Sequence, residues 1–275
     1  MTELIKITLI LAISSALSLP LIAQENEPEQ IRVPNNILSG EALGEFMPDK
    51  PENGNILARY KNFFTSNDEH YSVGIYQEKQ GSMTVKNQPY AEIMYIVEGS
   101  IQLNTGGNSP ISYTAGEGVV IPRGWTGTFT IPEGGFTGIY SVYNNENMQA
   151  APGAEIILLD RDTIDGKRFS DFRAFDPDVS DIVARNHEFY RSEDQKFGID
   201  VWEAQPGEVP FADLGYDEMI YVLDSNMSFI DMDGDAQIYS EGKAVILPQG
   251  WNSKGVVSTS VARVLIFWHL HGERQ

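Results

Sequence analysis

The sequence predicts an all-β protein made of two copies of one sandwich or barrel domain behind an N-terminal export segment. Three observations carry this. Shifting the chain against itself by 126 residues, without a gap, lays Glu29 to Trp125 on Glu155 to Trp251 and gives 21 identities in 97 paired positions. Within each copy, short runs rich in Val, Ile, Tyr and Phe alternate with Gly, Pro, Asn and Asp, the pattern of strands joined by turns. Between those runs no stretch keeps the i, i+3, i+4 spacing of an amphipathic helix. A period this long is no solenoid unit, so the repeat is a duplicated domain.

Taken in order, residues 1–23 read as a secretory signal peptide. A polar head, Met1 to Lys6, precedes the apolar run Ile7 to Leu19, and Ala23 stands before the polar Gln24-Glu25. The run is shorter than the ~20 residues that span a bilayer, so export to a periplasm or the outside is expected. Residues 24–150 are expected to form an N-terminal domain with an arm, and residues 151–275 a C-terminal domain. Because the arms, Gln24 to Gly54 and Asn147 to Ser180, also align in the repeat, they read as parts of the two domains rather than as linkers. A homodimer through these arms is one option; another is a monomer whose two halves pack as a pseudo-dimer.

Composition removes several functions. With 19 Lys+Arg against 39 Asp+Glu the formal charge is −20, which repels phosphate backbones and anionic headgroups. Neither nucleic acid nor, after signal removal, membrane is an expected partner; a small-molecule ligand is. The absence of cysteine excludes disulfides, thiolate metal sites and Cys nucleophiles.

In the first copy the expected strands are Tyr71 to Tyr76, Glu92 to Val97, Ile101 to Asn104, Gly118 to Ile121 and Thr126 to Ile131. Their second-copy counterparts include Phe197 to Glu203, Glu218 to Leu223 and Ala244 to Leu247. Asp233-Gly234 reads as a tight hairpin turn, since Asp-Gly tolerates positive φ; Thr105-Gly106-Gly107-Asn108 is its equivalent. Asp231 to Asp235 resembles the start of a calcium loop but lacks the remaining ligand set, so a solvated hairpin tip is expected.

Glu92, six residues and then Gly99, followed by Gly116 and Pro122-Arg123-Gly124-Trp125, resembles the two motifs of the cupin superfamily. Glu218, Gly242 and Pro248-Gln249-Gly250-Trp251 repeat the pattern, with Ser225 in place of the glycine. The chain is therefore similar to a bicupin, most of all to the branch of ureidoglycine-aminohydrolase-like cupins. The resemblance implies two tandem double-stranded β-helix (jelly-roll) barrels. It also implies three histidines beside each Glu around a divalent metal. At those positions stand Val85 or Lys86, Asn87 or Gln88, and Gly127; the second copy has Phe211 or Ala212, Asp213 or Leu214, and Ser253. No histidine remains, so the motif residues do not support a metal cofactor.

What does remain is Glu92 and Glu218, each opening an apolar strand. A carboxyl at the mouth of an apolar barrel is desolvated and suited to acid/base work; alternatively each pairs with the repeated Arg59 or Arg185. Trp125 and Trp251 either wall a pocket or pack. The candidate site is thus Glu92 and Glu218 as catalytic residues, with Asn87, Trp125, Asp213, Trp251 and Ser253 binding ligand, and the second barrel is expected to have the better pocket. His269-Leu270-His271 places two rings on one strand face, a metal pair if a carboxylate joins them, but reads as the frayed end of the last strand. His70 and His187 read as solitary surface residues. Two functions stay open: a ligand-binding or scaffolding bicupin, and a metal-independent cupin enzyme (epimerase, isomerase or hydrolase) acting on a sugar, uronate or ureide.

Overall fold

The computed structural model describes residues 28–106, 109–148, 153–175, 182–231 and 233–271; the expected signal segment lies outside them. Strand after strand recurs 126 residues on. Leu57–Thr65 returns as Val183–Arg191, Tyr71–Glu78 as Phe197–Ala204, Gly81–Val85 as Gly207–Phe211, Gly118–Ile121 as Ala244–Leu247, and Gly127–Ile131 as Ser253–Val257. The only helices among the described residues are single turns, Asn35–Leu38 and Arg161–Ile164, and they too are equivalent.

Each copy is a two-layered antiparallel barrel. In the first copy, Ala91–Asn104 lies between Gly118–Ile121 and Phe136–Tyr143, and Tyr71–Glu78 and Leu57–Thr65 follow. Gly81–Val85, Gly127–Ile131, Ile111–Thr114 and the far half of Ala91–Asn104 build the opposing layer. The second copy repeats this, but the long central strand is divided into Tyr216–Asp224 and Asn226–Ile230. The division falls at Ser225, whose φ is +67°, where the first copy has Gly99 at +81°. The geometry of the turn is kept although the residue that adopts it without strain is lost.

The central strands are apolar without alternation because both of their faces are buried. Met94, Ile96, Val119 and Ile121 fill the first barrel, and Ile220, Val222, Val245 and Leu247 the second. The intervening residues, including Ile93, Tyr95 and Val120 from one copy and Met219, Tyr221 and Ile246 from the other, meet in a third core between the barrels. The arms cross that junction reciprocally: Ile31–Arg32 pairs with Ala244–Leu247 of the second copy, and Ile157–Leu159 pairs with Gly118–Ile121 of the first. The alignment of the arms in the repeat thus reflects an exchange of edge strands, which also covers two otherwise open sheet edges.

Two local expectations need correction. The Asp233-Gly234 hairpin is a five-residue loop between Asn226–Ile230 and Ala236–Ser240, closed by the Asp231 and Asp235 backbones, with Gly234 at φ +90°. The last strand does not fray before its histidines. Ala262–Leu270 is paired to its end, and His269 is 0% exposed.

Candidate functional site

Glu92 and Glu218 share the inward parity of the residues that fill their barrels, so burial and not ion pairing sets their chemistry. Arg59 is taken by Gln77, whose Oε1 accepts from Nε at 2.9 Å and from Nη2 at 2.6 Å. Arg185 pairs with Glu203, as does Arg263. Neither arginine reaches a motif glutamate. Burial pushes the Glu92 carboxyl up to about 7, with Asp49 adding to the rise while Lys50 and a 3.1 Å hydrogen bond from Gln88 Nε2 oppose it. Burial, with Asp200 beyond it, pushes Glu218 up to about 8.

The two barrels differ in access. Glu218 is 4% exposed and accepts a hydrogen bond from the Tyr216 hydroxyl. Glu92 is half-buried. Around it stand Gln88, Tyr90 and Lys50, whose ammonium donates to the Tyr90 hydroxyl. Lys50 and Asp49 follow the short arm strand Met47–Pro48, so the arm supplies the cation. Within electrostatic reach lie Tyr76 and Glu78. Burial raises Glu78 to about 8, and Asp49 and Glu92 add to this.

Three buried polar atoms on the inner face of this first barrel have no hydrogen-bond partner among the described residues: Tyr76 Oη, Glu78 Oε2 and Trp125 Nε1. Such atoms are uncommon, because each leaves a desolvation cost of about 1–3 kcal/mol uncompensated. Glu78 also lines a cleft of about 330 Å³ with Phe46, Gln77, Lys79 and Phe136. The sequence reading missed Glu78 and Tyr76 because neither belongs to a motif. The sequence places both at the end of the apolar run that starts at Tyr71, which does not show what covers them.

The other candidates fall into two groups. Trp125 and Trp251 are 1% and 2% exposed and fill the barrel cores, Trp251 against Phe211 and Phe229 at 5.3 and 5.9 Å between ring centroids. Asn87 and Asp213 occupy equivalent exposed turns at φ +53° and +51°, their N–H groups donating to Thr126 Oγ1 and Asn252 Oδ1. Ser253 opens the strand that pairs with Phe211. The donor set of the first barrel does not fit the metal that the fold implies. At the motif positions it offers one carboxylate, Glu92, and no imidazole, and a Cβ on Gly127, where the third ligand would stand, would lie 2.3 Å from the Trp125 ring.

The histidines assemble elsewhere, at the junction of the two copies. His269 Nε2 is 2.9 Å from Asp68 Oδ2 and its Nδ1 is 3.1 Å from the Lys196 carbonyl. His271 Nε2 is 2.5 Å from Asp217 Oδ2, with its Nδ1 3.9 Å from Asp68 Oδ2. Burial pushes His269 below its ordinary value, against the pull of Asp68. His70, 41% exposed, has Nδ1 3.5 Å from the same Asp68 oxygen. It is therefore at the surface but not solitary.

Comparison with known proteins agrees with this architecture. Residues 65–140 match the model of the EutQ-like cupin domain. The chain is similar to a protein of Pseudomonas aeruginosa described as glyoxylate-induced, with TM-score 0.63 and 12% identity, covering 93% of this chain and 95% of that one. It is also similar to a cupin 2 conserved barrel domain protein from Leptotrichia buccalis, with TM-score 0.60 and 10% identity over 90% and 99% of the two chains. A third likeness is to a protein of unknown function from Pseudomonas syringae, with TM-score 0.60 and 18% identity over 76% and 85%. No curated protein matches. At these identities the likenesses speak for the fold alone.

Proposed function

For a chain that folds as two tandem cupin barrels, we propose that the first barrel binds a small polar ligand, with Glu92 as its proton acceptor and donor, and that no barrel metal takes part. The observation that carries this reading is the set of orphaned buried atoms, Tyr76 Oη, Glu78 Oε2 and Trp125 Nε1. A bound molecule carrying both donors and acceptors satisfies all three. Hydroxyl-rich or amide-rich compounds such as sugars, uronates and ureides have that character, and the Lys50 ammonium suits a carboxylate or carbonyl oxygen on them.

The carboxyls support acid/base use of the same site. A group that titrates near 7 both accepts and returns a proton at neutral pH. Glu78, raised to about 8, remains largely protonated there and donates. Two carboxyls held at different values in one apolar barrel divide the acid and base roles. The second barrel, with Glu218 buried against Tyr216, is the structural copy. Export remains part of the reading through residues 1–23.

The test is a thermal-shift and calorimetric screen of glucose, glucuronate and allantoin, each at pH 6 and 7.5. A ligand shift that is lost in Glu92→Gln and kept in Glu218→Gln is the expected result. A shift indifferent to Glu92→Gln, or lost only in Glu218→Gln, places the site elsewhere.

A further inference from the structure

We propose that Asp68, His269 and His271 form a divalent transition-metal site that ties the two copies together, outside both barrels. Asp68 belongs to the loop between Leu57–Thr65 and Tyr71–Glu78 of the first copy, and of the histidines His269 lies in the last strand of the second, Ala262–Leu270, and His271 just past its end. Among the described residues, this group of His and carboxylate side chains has its ligand atoms all within 4.8 Å of one another. Ligand atoms on a tetrahedral zinc ion, each about 2.0–2.1 Å from the metal, are about 3.3 Å apart. The observed 2.9 and 3.9 Å separations from Asp68 Oδ2 need only small side-chain rotations to reach that.

Counting hydrogen atoms strengthens the case. Both ring nitrogens of His269 face acceptors, the Lys196 carbonyl and the Asp68 carboxylate, yet a neutral imidazole carries one N–H. With the one hydrogen placed on Nδ1 and given to the carbonyl, the Nε2 lone pair is left facing Asp68 Oδ2. His271 gives its Nε2 hydrogen to Asp217 Oδ2, which leaves the Nδ1 lone pair 3.9 Å from Asp68 Oδ2. A cation among Nε2 of His269, Nδ1 of His271 and Oδ2 of Asp68 takes both of these lone pairs. It also balances the two buried or half-buried carboxylates with two neutral rings.

The outer partners are those of a built metal site. Ligating histidines usually give their second nitrogen to a carbonyl or carboxylate, which sets the tautomer and the ring orientation. Lys196 O does this for His269 and Asp217 Oδ2 for His271, while Asp217 Oδ1 is itself held by the Gln249 N–H at 2.8 Å. His70 stands close enough for its exposed ring to turn toward the fourth position.

The duplicated junction contains its own control. At the positions related by the repeat stand Asp194, Tyr143, Asn145 and Ala91. There Tyr143 Oη donates to Asp194 Oδ2 at 2.5 Å and Asn145 Nδ2 donates to it at 2.9 Å. Donors meet acceptors and nothing is left over. One half of the junction is a plain hydrogen-bonded clasp, and the other has replaced its donors by imidazoles and its alanine by a carboxylate.

The test uses the full mature chain without tag histidines, stripped with chelator and dialysed against zinc chloride. One zinc per chain by elemental mass spectrometry is expected. Asp68→Asn and His271→Gln, each confirmed folded by circular dichroism, should weaken binding at least tenfold, Asp217→Asn about 10- to 100-fold, and Asn145→Ala should leave it unchanged. Because replacing groups this buried can unfold the chain, histidine ring-nitrogen NMR of the wild type gives a second readout. Zinc should shift Nε2 of His269 and Nδ1 of His271 and leave His187 unmoved. Zinc at background level, zinc retained at full affinity by both folded variants, or shifts at His187 in place of His269 and His271, would overturn the proposal.

Discussion

Glu78 is a residue where burial has a measurable consequence. It is 9% exposed, one of its oxygens has no partner, and its carboxyl is raised from 4.5 to about 8. Since the native state binds the proton more tightly than the unfolded chain does, this group favours folding fully below pH 4.5, and the contribution is lost as pH rises toward 8. At about 1.36 kcal/mol per pH unit the whole window corresponds to roughly 5 kcal/mol. Relaxation and water entry into the site bring a realistic figure to about 2–3 kcal/mol. Glu78→Gln has nearly the shape of the protonated acid and never ionises. It should match the wild type at pH 4.5 and exceed it by about 2–3 kcal/mol at pH 8.5, a rise in Tm of roughly 4–12 °C for a chain of this size. Urea unfolding at the two pH values reads this directly. An equal difference at both pH values, or a variant less stable than wild type at pH 8.5, would refute the argument that an uncompensated buried carboxyl sits in the first barrel.

Three further outcomes follow from particular contacts. Glu203, 2% exposed between Arg185 and Arg263, leaves two guanidiniums without a counter-charge when replaced by Ala; a loss of about 3–5 kcal/mol in the unfolding free energy from urea titration is expected, whereas Lys167→Ala at the surface pair with Asp162 should leave it within error. Ser225→Gly should stabilise by about 0.5 kcal/mol, since it relieves a φ of +67° at some cost in unfolded-chain entropy. The reverse change, Gly99→Ser, should be strongly destabilising in the same melts, because a Cβ there would lie 2.1 Å from the Gly135 carbonyl oxygen. Trp251→Ala, which empties the second barrel, should cost about 3–5 kcal/mol by chemical denaturation.

Much of the fold was legible because its signals are local. The 126-residue repeat, the turn glycines and the apolar runs reappear as equivalent strands, and the two single-turn helices match the absence of helical periodicity. Glu92 and Glu218 were legible as acids opening two apolar runs, but the sequence leaves open whether they turn inward or pair with Arg59 and Arg185, because strands apolar on both faces carry no parity signal. The histidines were not. His269 and His271 look like the polar end of a strand, and His70 like a surface residue, until the Asp68 loop, 201 residues before His269, is brought against them. Glu78 and Tyr76 were equally invisible, since an acid at a strand end reads as solvated unless the opposite layer is known to cover it.

The sequence by itself determined what depends on near neighbours: strand pattern, duplication, the missing barrel histidines and the place of two glutamates at the start of apolar strands. The tertiary structure decided what depends on chain segments far apart. It chose which glutamate stays accessible, it exchanged the arms between copies, and it placed two imidazoles of one copy against a carboxylate of the other. Periodicity records which face of a strand is buried, but not what stands across from it, and both candidate sites are made of what stands across.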